Sequence, residues 1–170
     1  RNSQLSTMST VNNVNNGNCQ QWQLLTVSFS VLSNKMKEIG KIIDLSQKQT
    51  DEGLCTHVES LVGVPFDIKR AYWIYDVPKG ESRGGHAHKR LRQVIIAVKG
   101  SFIVNLDDGH QKKQYLLDCP DKGLLIDTKI WRTLDDFSEG AVCLVLASEL
   151  YDPDDYLYDY NDFIEYIHHV

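Results

Sequence analysis

The sequence predicts an all-β protein, an antiparallel sandwich or barrel carrying a single C-terminal α-helix. Three observations lead there. Short β-rich runs recur at a spacing of roughly eight to twelve residues, with turn residues between them. Two of the intervening turns, Lys99-Gly100 and "DDGH" ending at His110, hold the glycines that tight hairpins need for positive φ. The final stretch, "DPDDYLYDYNDFIEYIHHV", gives up strand-like patterning for helical spacing.

Taken in order, residues 1–35 stand apart from the rest. Asn, Ser, Gln and Thr dominate "RNSQLSTMSTVNNVNNGNCQQ", which has little capacity to build a core. They read as a polar N-terminal extension or leader, in which the alternating run "QWQLLTVSFSV" could add an edge strand. Residues 36–170 read as the folded domain, with Met36 opening "MKEIGKIIDL" like a natural start. "KRAYWIYDV" is β-rich, and "VPKGESRGG" is a loop. "RQVIIAVKG", "SFIVNL", "KQYLLD", "GLLID" and "AVCLVLAS" continue the strands. At the end, Asp152 reads as an N-cap and Pro153 as the first helical residue, followed by acids in the first turn. Tyr156, Tyr160, Phe163, Ile164 and Ile167 then fall at helical spacing, so one amphipathic helix is expected to pack an aromatic stripe inward.

The length of 170 residues suits one domain with a proper core. No apolar run approaches the roughly 18 residues of a membrane span, and no secretory signal pattern is visible, so a cytoplasmic location is expected. Cys19, Cys55, Cys119 and Cys143 are scattered and form no CxxC pair, which points to buried free thiols. The net charge of −5 is unevenly placed. From Lys69 to Lys99, eight basic residues face two acidic ones, a window of +6 against −11 for the remainder. Such a chain is poorly suited to coating nucleic acid but could hold a small anion, such as a phosphorylated substrate, at one place.

That basic window contains "RGGHAHKR". Residues two apart on a strand share a face, so His86 and His88 project together. A metal-binding cupin barrel would add a carboxylate a few residues on, a glycine, and a histidine from a later strand. Here Gly100 is present, but Gln93 stands at the carboxylate place and Arg132 where the later histidine would come. A neutral amide is a weak ligand and a guanidinium cannot ligate. No metal is therefore expected. Two histidines at a barrel mouth remain suited to general acid–base work, one neutral base beside one cationic acid. The bland reading is a pair of surface histidines on a basic loop.

The segments "PFDIKRAYWIYDVPKGESRGGHAHKRLRQVIIAVKGSFIVNLDDG", "KGLLIDTKIWRTL" and "VLASELYDPDDYLYDYNDF" resemble the nucleotide-sugar 3,4-ketoisomerases, over about Ile39 to Ile167. The resemblance implies an RmlC-like cupin, a jelly-roll β-barrel acting on dTDP-4-keto-6-deoxy-D-glucose with no cofactor. It also implies a homodimer with N-terminal strands exchanged between copies, in deoxyamino-sugar biosynthesis for a surface polysaccharide. His86 and His88 match the family's proton-shuttling pair. Arg83 matches an arginine of the same motif, and Arg70 with the aromatics Tyr72 and Tyr75 matches a pocket-lining strand. Tyr75, Arg132 and Gln93 become candidates for hydrogen bonds around an enolate. Arg83, Arg70 and Lys89 become candidates for the diphosphate. Gln93 and Trp131 also read as packing residues. One departure is Glu52 before Gly53, where relatives commonly carry arginine. The rival readings are a non-catalytic sugar-nucleotide-binding cupin, a metal-dependent cupin, and an epimerase acting at C3 and C5.

Overall fold

The computed structural model describes residues 38–169; the expected extension, its alternating run and Met36 lie outside the described residues. The chain opens with β1 (Lys41–Asp44), the hairpin β2 (Ser46–Thr50) and β3 (Gly53–His57), and the short β4 (Glu59–Ser60) and β5 (Gly63–Val64). The body follows as β6 (Arg70–Tyr75), β7 (Arg83–His88), β8 (Gln93–Lys99), β9 (Phe102–Asp107) and β10 (Lys112–Leu117). It continues through β11 (Lys122–Ile126), β12 (Trp131–Asp135), β13 (Val142–Ala147), β14 (Tyr156–Leu157) and α1 (Tyr160–His168). Two five-stranded sheets result, ordered β1-β11-β8-β13-β6 and β10-β9-β12-β7-β14, with antiparallel pairing throughout both.

The apolar run of β8 is buried on both faces. Ile95 and Ala97 point between the sheets, against Phe102, Val104 and Leu106 of β9, Leu124 and Ile126 of β11, and Val145 of β13. Val94 and Ile96 point the other way, beneath Leu45, Val64 and Phe66. The expected Asp-Gly turn closes the β9–β10 hairpin, whereas the Lys99-Gly100 turn, expected as a hairpin, carries the chain from β8 in one sheet to β9 in the other. Gly100 has φ +68°, and a Cβ there would fall 2.9 Å from Ala141 Cα, so only glycine fits.

The single long C-terminal helix does not form as expected. Asp152 does cap a turn, accepting from Asp154 N, but that turn is a 3-10 helix confined to Pro153–Asp155. Tyr156 and Leu157 then leave it to pair with His88 and Ala87 on the otherwise open edge of β7, which satisfies that edge's backbone groups. The α-helix begins a turn later, where the Asp159 carboxylate accepts from Asn161 N and Asp162 N. Phe163 is its buried anchor, packed with Ala87, Leu157 and Trp131; burying such a ring contributes about 1.5–3 kcal/mol. Of the cysteines expected as buried free thiols, Cys143 is buried and free, whereas Cys55 is free but exposed on the outlying hairpin.

Candidate active site

Between the two sheets lies a cavity of about 340 Å³. β6 supplies Arg70, Tyr72 and Ile74, β7 supplies Gly84 and His86, and β8 supplies Gln93 and Ile95. Arg132, Leu134, Val145 and Tyr156 complete the wall. The geometry depends on a local irregularity in β7. Arg132 pairs with His86 and Thr133 pairs with Gly84, so Gly85 is the extra residue of a register shift. Gly84 has φ +84°, and a Cβ there would fall 2.8 Å from Arg132 O. The two glycines of "RGGHAH" thus let β7 lie close against β12 and aim His86 inward.

Arg132 is the hub. Its side chain is fully enclosed, at 2% exposure, and its guanidinium lies among the two histidines and Gln93. Nη1 donates to His86 O at 2.8 Å. Nη2 lies 2.5 Å from His86 Nε2 and 2.6 Å from His88 Nε2. With the Gln93 amide turned so that its oxygen faces the guanidinium, Oε1 accepts from Nε at 2.5 Å. Tyr72 is a further hydrogen-bonding partner. A guanidinium only donates, so both Nε2 atoms must present lone pairs and both imidazoles must carry their hydrogen on Nδ1. Gly84 supplies the backbone hydrogen bond to His86, while the Asp155 carboxylate approaches His88 Nδ1 at 3.0 Å.

The electrostatics follow. Burial first, and the Arg132 charge second, push the His86 imidazole down to about 4. The same causes in the same order take His88 lower, to about 2. Both are neutral at neutral pH, which corrects the expected pairing of one neutral and one cationic imidazole. The guanidinium is the cation of the pair's surroundings, and its own proton affinity falls, to about 10, because it is buried. The two rings are also unequal. His86 faces the cavity, whereas His88 lies behind it at 3% exposure.

Of the other residues singled out from sequence, Arg70, Tyr72, Gln93 and Arg132 converge with the histidines. Arg70 Nη2 reaches Tyr156 Oη at 3.5 Å, its guanidinium lies over the Tyr72 and Tyr151 rings, and its buried Nε has no hydrogen-bond partner among the described residues. Three expected residues stand outside the cavity lining. Tyr75 is 56% exposed, because it is an odd number of residues from Tyr72 and so on the opposite strand face. Lys89 Nζ donates to Asp154 O and lies 6.0 Å over the Tyr166 ring, held toward the C-terminal segment. Arg83 is exposed at the start of β7, before the register shift.

Two site residues were missed in the sequence. Tyr156 lies against both imidazoles, at ring-centroid distances of 4.9 Å and 4.4 Å, and Asp155 is the buried carboxylate beside His88. Both were hidden by the helical reading of "DPDDYLYDY". Two acids and a tyrosine so far along the chain gave no hint of pairing with β7.

A divalent ion does not suit these side chains. The donors are two imidazoles and an amide, with both Nε2 lone pairs already engaged by a guanidinium whose charge would repel a cation. Among the described residues, no group of three or more His, Cys, Asp or Glu converges as a metal set.

A double β-sheet barrel with paired imidazoles on one inner strand is a cupin. The RmlC-like frame extends to distant solved structures: dTDP-4-dehydrorhamnose 3,5-epimerase from Bacillus anthracis superposes with a TM-score of 0.61 over 74% of this chain and 80% of that one, at 18% identity. That likeness is one of fold. Nearer relatives define the class further. The TDP-4-oxo-6-deoxy-α-D-glucose-3,4-oxoisomerase of Aneurinibacillus thermoaerophilus is 40% identical over 136 residues, which is 80% of this chain and 94% of the relative. A variant of the 3,4-ketoisomerase QdtA from Thermoanaerobacterium thermosaccharolyticum, solved with TDP-4-keto-6-deoxyglucose, has a TM-score of 0.75 and 39% identity, covering 78% and 96% of the two chains. The 3,4-ketoisomerase from Helicobacter canadensis gives 0.74 and 40%, covering 76% and 97%. The protein is an isomerase of this cupin type. Its residues 38–168 match the FdtA family (WxcM-like, C-terminal), and the chain belongs to that family.

Proposed function

We propose that the enzyme converts TDP-4-keto-6-deoxy-D-glucose to a TDP-3-keto-6-deoxyhexose, moving protons through His86 and His88 without a metal ion. The observation that carries this reading is the convergence of two neutral imidazoles, each with a bare Nε2, on one buried guanidinium at the cavity wall. The names of the relatives support the substrate, and the 3.0 Å approach of Asp155 to His88 supports a division of labour within the pair.

The ketone at C4 acidifies the C3 hydrogen. His86, the imidazole facing the cavity, takes that proton, and the electron pair moves into a C3–C4 double bond with negative charge on O4. Arg132 and the Tyr72 and Tyr156 hydroxyls line the same cavity and are the donors for this charge. O4 is protonated, the O3 hydroxyl proton is removed, and C4 receives a proton as the carbonyl forms at C3. Bonds and charges balance with no redox partner. Arg70, with its unpartnered Nε, meets the anionic part of the substrate. The 3-keto product suits a later transamination at C3, the kind of step that makes amino sugars for surface polysaccharide.

The working form is a cytoplasmic homodimer. In support, large apolar side chains are exposed on the outlying hairpin and on β6, with Leu54 at 65% and Trp73 at 62%. Among the described residues no helix is long and apolar enough to cross a membrane. His86→Asn and His88→Asn test the chemistry: each should lower kcat by about 10²–10⁴, with little change in KM. Wild-type turnover in both variants would rule the shuttle out.

A further inference from the structure

His88 is not placed like a second copy of His86. Its ring is buried behind its neighbour, and its Nδ1 faces a carboxylate that is itself only 4% exposed. That carboxylate is anchored on its other side. Asp155 Oδ1 accepts from Arg90 N at 2.7 Å, Oδ2 accepts from Leu91 N at 3.3 Å, and its backbone carbonyl accepts from Lys89 N at 2.9 Å. Three successive amides of the turn leaving β7 therefore fix Asp155 just beyond His88. The ring approaches Oδ2 at a bent angle that falls short of hydrogen-bond alignment. Such contacts in substrate-free sites commonly tighten when the reacting complex forms.

We propose that Asp155 is a positioning residue of the isomerisation: it orients the His88 ring with hydrogen on Nδ1 and leaves Nε2 as the atom that exchanges protons. This rests on the ketoisomerase reading above. The Arg132 guanidinium, His86 and Arg70 all disfavour a second positive charge at His88, and Tyr156 packs against its ring. Arg90 Nε, 3.6 Å from Oδ1, draws on the same carboxylate. Among the described residues, Asp155 is the negative group in contact with the ring. As His88 takes up a proton at Nε2, the imidazolium keeps Nδ1–H toward Asp155, and the carboxylate stays ionised.

Asp155→Asn is the discriminating variant. Its amide oxygen can keep the Arg90 N bond, but its NH₂ faces His88 Nδ1 and favours the tautomer with hydrogen on Nε2, opposed to the Arg132 N–H. Expected is a fall in kcat of about 10²–10⁴ with KM within a few-fold, partly recovered in Asp155→Glu. Imidazole ¹⁵N–¹H correlation spectra should show His88 with hydrogen on Nδ1 in the wild type and on Nε2 in the Asn variant. A folded Asn variant with wild-type kcat, or hydrogen on His88 Nε2 in the wild type, overturns the proposal. Where the Asn variant does not fold, Asp155→Ser replaces it, and wild-type kcat in that variant overturns the proposal. The spectra need no substrate, so the change from wild type to variant remains decisive if the enzyme proves to act on another sugar.

Discussion

Arg132 and His86 face each other across the β12–β7 ladder, and the guanidinium folds back to hold both the carbonyl and the ring of its strand partner. One side chain thereby fixes the tautomer and suppresses the charge of the imidazole that faces substrate. In a metal-binding cupin the equivalent space would be the ion's; here a permanent organic cation with directional donors takes it.

Removing that cation should therefore do two things. Arg132→Met, close in volume, should cut kcat by about 10²–10³ through loss of oxyanion stabilisation. It should also raise the His86 titration from about 4, though not to the ordinary 6.5, because burial outranks the guanidinium as its cause. NMR titration of the ring checks this; an unmoved His86 would show that Arg132 exerts no field on it.

The pH dependence of kcat/KM should show the same depression. A base whose conjugate acid is held near 4 stays unprotonated far below the usual histidine range. Activity should be flat from neutral pH down through 6, be halved near about 4, and fall tenfold per unit only below that. An acid limb centred near 6.5 would mean that burial and Arg132 do not hold His86 neutral.

Stability should follow the same groups. The unfolded chain protonates His86 near 6.5 and the folded one near 4, so between those values the unfolded state binds more protons. Folding stability should be full above about 6.5 and decline as pH falls toward 4. His86 contributes on the order of 2–3 kcal/mol of that loss after allowance for its partial exposure. Denaturant unfolding of wild type and His86→Asn across this range measures it, and the variant should show the shallower decline.

Gly84→Ala tests the link between fold and site. Its Cβ would meet the Arg132 carbonyl at 2.8 Å in a left-handed backbone, so β7 must move from β12 and carry His86 with it. Expected are a stability loss of about 1–3 kcal/mol and a disproportionate loss of kcat. Destabilisation with unchanged kcat would show that the close approach does not aim His86.

Much of this was legible in the sequence because strands declare themselves by period. The Asp108-Gly109 turn located the β9–β10 hairpin, and two-residue spacing put His86 and His88 on one side of β7. The same periodicity, applied to Tyr72 and Tyr75, would have separated them. What escaped the sequence lay in long-range pairing. Asp155 and Tyr156 meet His88 only because the chain breaks its helix at Tyr156 to close the edge of β7. Nor could Gln93 and Arg132, read as lost ligands, reveal that they bond to each other. Only the packing of one sheet on the other brings the β8 amide onto the β12 guanidinium.

The most direct test incubates chelator-treated enzyme with TDP-4-keto-6-deoxy-D-glucose in deuterated water, follows the product by NMR, and measures bound metal on the same sample. Expected is a sugar with its carbonyl at C3 and deuterium at C4, formed at full rate by protein with no stoichiometric metal. A carbonyl retained at C4 with deuterium at C3 and C5, or activity lost on chelation and restored by a divalent ion, would contradict proton transfer by imidazoles alone.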